Sequence, residues 1–166
     1  PAPINAFLKS PNAIIGHGDT MVLTDVPATV FEGEAELALV IGKRAFRVPV
    51  DKAMDYVAGY TIFNDLSARD IQAREHANKV ILLGKSFDGS CPLGPWIVPA
   101  QEISDPHNLA IKLWVNDAIK QDSNTGKMIY NIAEQIAHLS SGITLHPGDV
   151  ILTGTPAGVG SARNEY

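Results

Sequence analysis

The sequence holds a single cysteine, Cys91. No disulfide can form within the chain, and a reducing compartment such as the cytoplasm is the expectation. Basic charge is also scarce. Lysine and arginine number 13 against 18 aspartates and glutamates, a formal net charge of −5 with no basic run. A nucleic-acid surface needs clustered cations to neutralise phosphates, so no nucleic-acid partner is expected. No apolar stretch approaches the ~20 residues of a membrane helix, so no membrane partner is expected either. No secretory leader pattern is visible. Internal repeats, low-complexity tracts and Ser/Gly-rich linkers are missing too, which leaves one domain over residues 1–166.

Against these absences stands an ordinary globular composition. Hydrophobic residues make up 45% and charged residues 19% of 166, which excludes a disordered chain and suffices for a full core. Strands are expected at 34–41 (EAELALVI), 59–63 and 150–153, where apolar residues run together, and at 109–115, where they alternate with polar ones. Asn116-Asp117 reads as a hairpin turn into 118–121. Helices are expected at 53–57, from 66 to about 77, and from about 127 to 141, where Met128, Ile129, Ile132, Ile136 and Leu139 share a face. Gly142 sits where that last helix would want a left-handed residue. The Gly- and Pro-rich stretch 84–99 reads as loop around short strands. Strands thus outnumber helices and are joined mainly by turns, which favours antiparallel or mixed sheets over a doubly wound α/β fold.

Four features carry possible chemistry. Glu34 and Glu36 lie two apart in an expected strand, so their side chains point the same way from Cα atoms roughly 6.6–6.8 Å apart. Both faces of that strand are apolar further along. Two carboxylates there repel and resist desolvation unless a cation or proton compensates, and a hard divalent ion would do so. The plain alternative is a solvent-exposed strand end. Asp65 is either the N-cap of the following helix or part of a site wall that continues through Arg69, Gln72 and His76 on one helical stripe. Arg69 could grip a carboxylate with both arms; His76 reads as surface. Lys85 follows the apolar run 80–83, either as a partly buried cation beside a carbonyl or as a lysine snorkelling from a strand end. Thr155, in the glycine-rich stretch 152–160, offers a hydroxyl beside backbone N–H groups to an anion. No Gly-Lys-Ser/Thr follows, so this is not a nucleotide phosphate loop. Cys91, Ser86 and Ser90 lack the context of a nucleophile, and covalent catalysis is set aside.

Six segments, in order, resemble the fumarylacetoacetate hydrolase family: 7–11 (FLKSP), 33–42 (GEAELALVIG), 64–70 (NDLSARD), 84–88 (GKSFD), 91–96 (CPLGPW) and 147–160 (PGDVILTGTPAGVG). The resemblance implies a β-rich α+β fold, a rolled mixed β-sheet with short peripheral helices, assembled as a homodimer. It implies that Glu34, Glu36 and Asp65 ligate magnesium, or manganese or calcium. By the same resemblance Lys85 polarises the substrate, and Arg69, Gln72 and Thr155 contact a 2-oxo acid. The implied activity is metal-dependent hydrolysis of a carbon–carbon bond in acylpyruvates or similar β-diketo acids of aromatic catabolism, with the ion stabilising the enolate. Oxaloacetate decarboxylation, isomerisation of 2-hydroxyhepta-2,4-diene-1,7-dioate, and a member that binds metal and 2-oxo acid without turnover are the alternatives. In many relatives a His–Glu pair on a lid upstream of the FLK segment activates water. The sequence begins at Pro1 and ends at Tyr166, and the expectation is a catalytic domain without that lid and without the family's closing strands.

Overall fold

The computed structural model describes residues 3–23 and 26–163; the ends at Pro1 and Tyr166 lie outside them. Nine strands and four short α-helices follow one another among these residues. The strands are β1 (Ile14–Ile15), β2 (Phe31–Glu32), β3 (Ala35–Ile41), β4 (Val57–Asn64), β5 (Ser67–Ala68), β6 (Cys91–Pro99), β7 (Ala110–Val115), β8 (Ala118–Asn124) and β9 (Val150–Leu152). The helices are α1 (Arg69–Ala77), α2 (Leu83–Ser86), α3 (Ile132–Ser140) and α4 (Gly160–Arg163).

The main sheet has the order β1-β6-β4-β3-β9. Only the β1–β6 pair is parallel. The sheet is therefore mixed, and it curls, with β2–β5 and the β7–β8 hairpin as two-stranded additions. This is the rolled, β-rich architecture expected. Asn116 and Asp117 both take positive φ, 49° and 65°, which suits a tight hairpin turn between right-twisted strands.

Strand β3 is buried along its whole length because it has neighbours on both edges and packing on both faces. Leu37, Leu39 and Ile41 point into the larger core with Ile132 and Ile136 of α3. Ala38, on the other face, packs with Ala13, Phe63 and Cys91. That second face also carries Glu36 (two residues earlier), so the carboxylates emerge from the end of a fully desolvated strand.

Several expected elements differ. Residues 91–99 form one nine-residue strand rather than loop. Its partner β1 covers only Cys91 and Pro92, so the later prolines sit on an open edge where a missing N–H costs little. The helix expected from about 127 starts at Ile132, because Asn131 and Glu134 form a capping box and leave Ile129 exposed. It ends on right-handed Ser141, and Gly142 is not left-handed. The segment 53–57 is the end of a 3-10 helix, Val50–Tyr56, running into β4.

Candidate functional site

The ladder between β3 and β4 continues past its last residues: the backbone N–H of Asp65 donates to the carbonyl of Glu34 at 2.9 Å. Asn64 supports the same corner, its side-chain oxygen accepting from the Glu34 N–H at 3.0 Å. These bonds set Asp65 against Glu34 and Glu36. One carboxylate oxygen from each of the three lies within 4.8 Å of the others, and all three residues are buried.

Asp65 reaches this place by a different route from either one expected. The chain after it pairs as β5 with β2, and α1 begins only at Arg69 with Ala68 in the capping position. Asp65 is neither that N-cap nor part of a helical stripe with Arg69 and Gln72. Lys85 also differs: it stands in the short helix α2 rather than at a strand end, and Val80, Leu82 and Leu83 of its apolar run are exposed. Its ammonium, buried itself, donates to Glu34 at 2.8 Å and Asp65 at 2.9 Å.

Arg69 is held on three sides. Its Nε donates to Glu32 at 2.7 Å, one terminal nitrogen donates to Gln72 at 2.8 Å and the other to Glu34. A guanidinium carries five N–H groups, and these bonds engage three of them. Gln72 and Arg69 share the inner side of α1, while His76 is exposed further along it. Sequence reading missed three residues. Lys9 pairs with Asp65 and with the carbonyl of Lys85. Glu32 is the third glutamate of the alternating run 32–36. Gln121 is a buried amide facing β3. The two-residue spacing could have found Glu32; nothing local marks Lys9, 56 positions from Asp65.

The electrostatics are unbalanced. Among the described residues four buried carboxylates (Glu32, Glu34, Glu36 and Asp65) face three cations, Lys9, Arg69 and Lys85. Glu36 bears the consequence: among the described residues no cationic side chain pairs with it, and its closest support is the Gly154 N–H at 2.7 Å. Burial, with the charge of Asp65 next and that of Glu34 behind it, pushes its carboxyl up to about 8. A cluster of oxygen donors with negative charge in excess fits a hard divalent cation such as magnesium, manganese or calcium, and lacks the nitrogen or sulfur donors a zinc site favours.

A cavity of about 580 Å³ opens beside this cluster, lined by Glu34, Arg69, Gln72, His76, Thr155 and Pro156 among others. It brings together Arg69 and Gln72 from α1 and Thr155 from the 153–160 loop. Thr155, however, spends its hydroxyl within the protein: it donates to the Ala35 carbonyl at 3.0 Å and accepts from Gln121 at 2.8 Å.

Residues 1–166 match the family described as Fumarylacetoacetate (FAA) hydrolase C-terminal. The mitochondrial oxaloacetate tautomerase of Xenopus laevis is 47% identical over 157 residues, 95% of this chain and 49% of that protein. The oxaloacetate tautomerase YisK of Bacillus subtilis is 44% identical over 154 residues, 93% of this chain and 50% of that one. The chain thus spans about half the length of the curated relatives it matches. Among solved structures, maleylpyruvate hydrolase from Sphingobium sp. SYK-6, in complex with manganese(II) and pyruvate, superposes with a TM-score of 0.84 at 40% identity, over 93% of this chain and 55% of that one.

Proposed function

Because the chain belongs to the fumarylacetoacetate hydrolase family, we propose that it interconverts the keto and enol forms of a 2-oxo acid, oxaloacetate foremost, with one divalent cation held by Glu34, Glu36 and Asp65. The observation that carries this reading is the meeting of three buried carboxylates at the edge of a cavity lined by Arg69. A cation held by these three carboxylates would polarise a 2-oxo carbonyl and supply positive charge for its oxygen. Lys85, bridging Glu34 and Asp65, adds a fixed positive charge at the same oxygen. Arg69 holds the substrate carboxylate, and Gln72 keeps the guanidinium in plane. Lys9 neutralises Asp65 from the other side.

Magnesium and manganese are the ions of choice, with calcium admissible by its oxygen preference. Oxaloacetate comes first because relatives 44–47% identical are named as its tautomerases. A second reading, carbon–carbon bond hydrolysis of acylpyruvates in aromatic catabolism, draws support from the similarity to maleylpyruvate hydrolase. We assign the domain 1–166 the catalytic role within the protein, and the protein itself to the cytoplasm as a homodimer. Trp96 and Ile62, 70% and 63% exposed, are apolar surface such an assembly would cover.

The test uses the full-length protein with magnesium or manganese. Accelerated ketonisation of enol-oxaloacetate, lost in Glu36→Gln together with more than about tenfold of cation affinity, is the expected result. Pyruvate release from acetylpyruvate without tautomerisation would replace the first reading by the second. Conversion of 2-hydroxyhepta-2,4-diene-1,7-dioate or decarboxylation of oxaloacetate would point to those neighbouring reactions. Binding of oxalate without turnover of any of these would mark a non-catalytic member, and unchanged cation affinity in Glu36→Gln would overturn the site.

A further inference from the structure

Strand β9 accompanies β3 only from Val40 to Ala38. Beyond that point the outer edge of β3 approaches the carboxylate cluster with its backbone groups still to be satisfied. Thr153 takes the next rung, its N–H and hydroxyl both donating to the Leu37 carbonyl, at 3.1 and 2.8 Å. At Ala35, between the two glutamates, side chains complete the ladder. The Ala35 N–H donates to Oε1 of Gln121 at 2.8 Å, and the Ala35 carbonyl accepts from the Thr155 hydroxyl at 3.0 Å. Gln121 then closes the ring, its Nε2 donating to the Thr155 hydroxyl at 2.8 Å and to the Pro156 carbonyl at 2.9 Å.

The partners leave this amide one orientation. A backbone N–H can only donate and a backbone carbonyl can only accept, so oxygen must face Ala35 and nitrogen must face Pro156. Gln121 is 1% exposed, out of reach of any ligand. The loop also lies directly on β8: Gly158, at φ +108°, passes so close that a Cβ there would stand 2.7 Å from the Lys120 carbonyl oxygen. The same loop supplies the Gly154 N–H to Glu36 and Thr155 and Pro156 to the cavity wall.

We infer that Gln121 is a positioning residue, which fixes the 153–160 loop against the strand carrying Glu34 and Glu36 and thereby sets the wall on which a 2-oxo acid lies. The ligand half of this inference rests on the function proposed above; the contacts do not. Thr155 follows as a relay rather than a donor to substrate, since its one hydrogen is committed to Ala35.

The test compares Gln121→Leu, Thr155→Val, Thr155→Ser and the double variant Q121L/T155V with the unaltered full-length protein. Amide hydrogen exchange needs no ligand: in Q121L residues 153–158 should exchange at least about tenfold faster, with α3 unchanged. Oxalate affinity of the manganese-loaded protein should fall about tenfold or more in Q121L and T155V, manganese affinity alone should move less than about threefold, and T155S should behave as wild type. The double variant should be no worse than Q121L, because both act through one ring of bonds. Should Q121L fail to fold, T155V must show the loop and oxalate changes by itself. Unchanged exchange at 153–158, additive losses, or manganese affinity falling in step with oxalate would each overturn the role of Gln121. If the unaltered protein takes up neither manganese nor oxalate, the proposed function falls, and hydrogen exchange alone decides the place of Gln121.

Discussion

At the scale of single residues, Glu36 is the group whose environment disagrees most with its chemistry. A carboxyl group ordinarily near 4.5 is held up to about 8 here, by burial first and by its anionic neighbours second. Between those two values the folded, cation-free chain keeps a proton that the unfolded chain releases. Raising the pH across that window therefore favours the unfolded state, and stability should fall from about pH 5 to pH 8 in chelator. Urea denaturation at several pH values reads the slope. Glu36→Gln, which cannot ionise, should flatten it, and a wild-type slope of zero or of opposite sign would mean the proton is not there. A divalent ion must displace that proton, so cation affinity should rise with pH over the same interval. The paired run Glu34 and Glu36 was legible in the sequence because a two-residue period in a strand determines direction. The charge balance was not, since the cations Lys9, Arg69 and Lys85 come from separate segments.

At the scale of elements, the site depends on how closely α2 lies on α1. Gly84 starts the turn that presents Lys85, and a Cβ on it would stand 2.8 Å from the backbone nitrogen of Gln72 and 2.9 Å from its Cα. Backbone atoms of a helix cannot step aside as a side chain can. Gly84→Ala should therefore cost about 1–3 kcal/mol and move Lys85 away from Glu34 and Asp65. Chemical denaturation measures the first effect, and weaker oxalate binding by the cation-loaded protein the second. A variant as stable as wild type with unaltered binding would show that the two helices are not in this contact. Element boundaries were the least legible part of the sequence. The apolar period of α3 was visible, but its start depends on the Asn131–Glu134 box rather than on the apolar residues before it. The prolines of β6 look like loop until the strand is known to outrun its short partner β1, which leaves that side open where backbone N–H groups have no partner to lose.

At the scale of the whole molecule, four buried carboxylates and three cations among the described residues, from β2, β3 and the residue before it, the 64–65 corner, α1, α2 and the segment of Lys9, converge on one place. Folding without the cation leaves Glu36 either holding a proton or carrying an unpaired charge, so a bound ion should stabilise the entire fold rather than one loop. At a hundredfold its dissociation constant, manganese should add about 2.7 kcal/mol, reversed by chelator. A melting temperature indifferent to manganese and magnesium would argue that no ion binds the folded chain. The sequence by itself determined which residues face together along a strand or helix, because those periods are local, and the order of its motifs carried the family. Tertiary structure decided the rest: that Asp65 meets Glu34 across a strand end, that Lys9 joins them, and that Thr155 is bound to Gln121 instead of standing free. Those contacts join residues dozens of positions apart, and only the path of the folded backbone brings them within hydrogen-bonding distance.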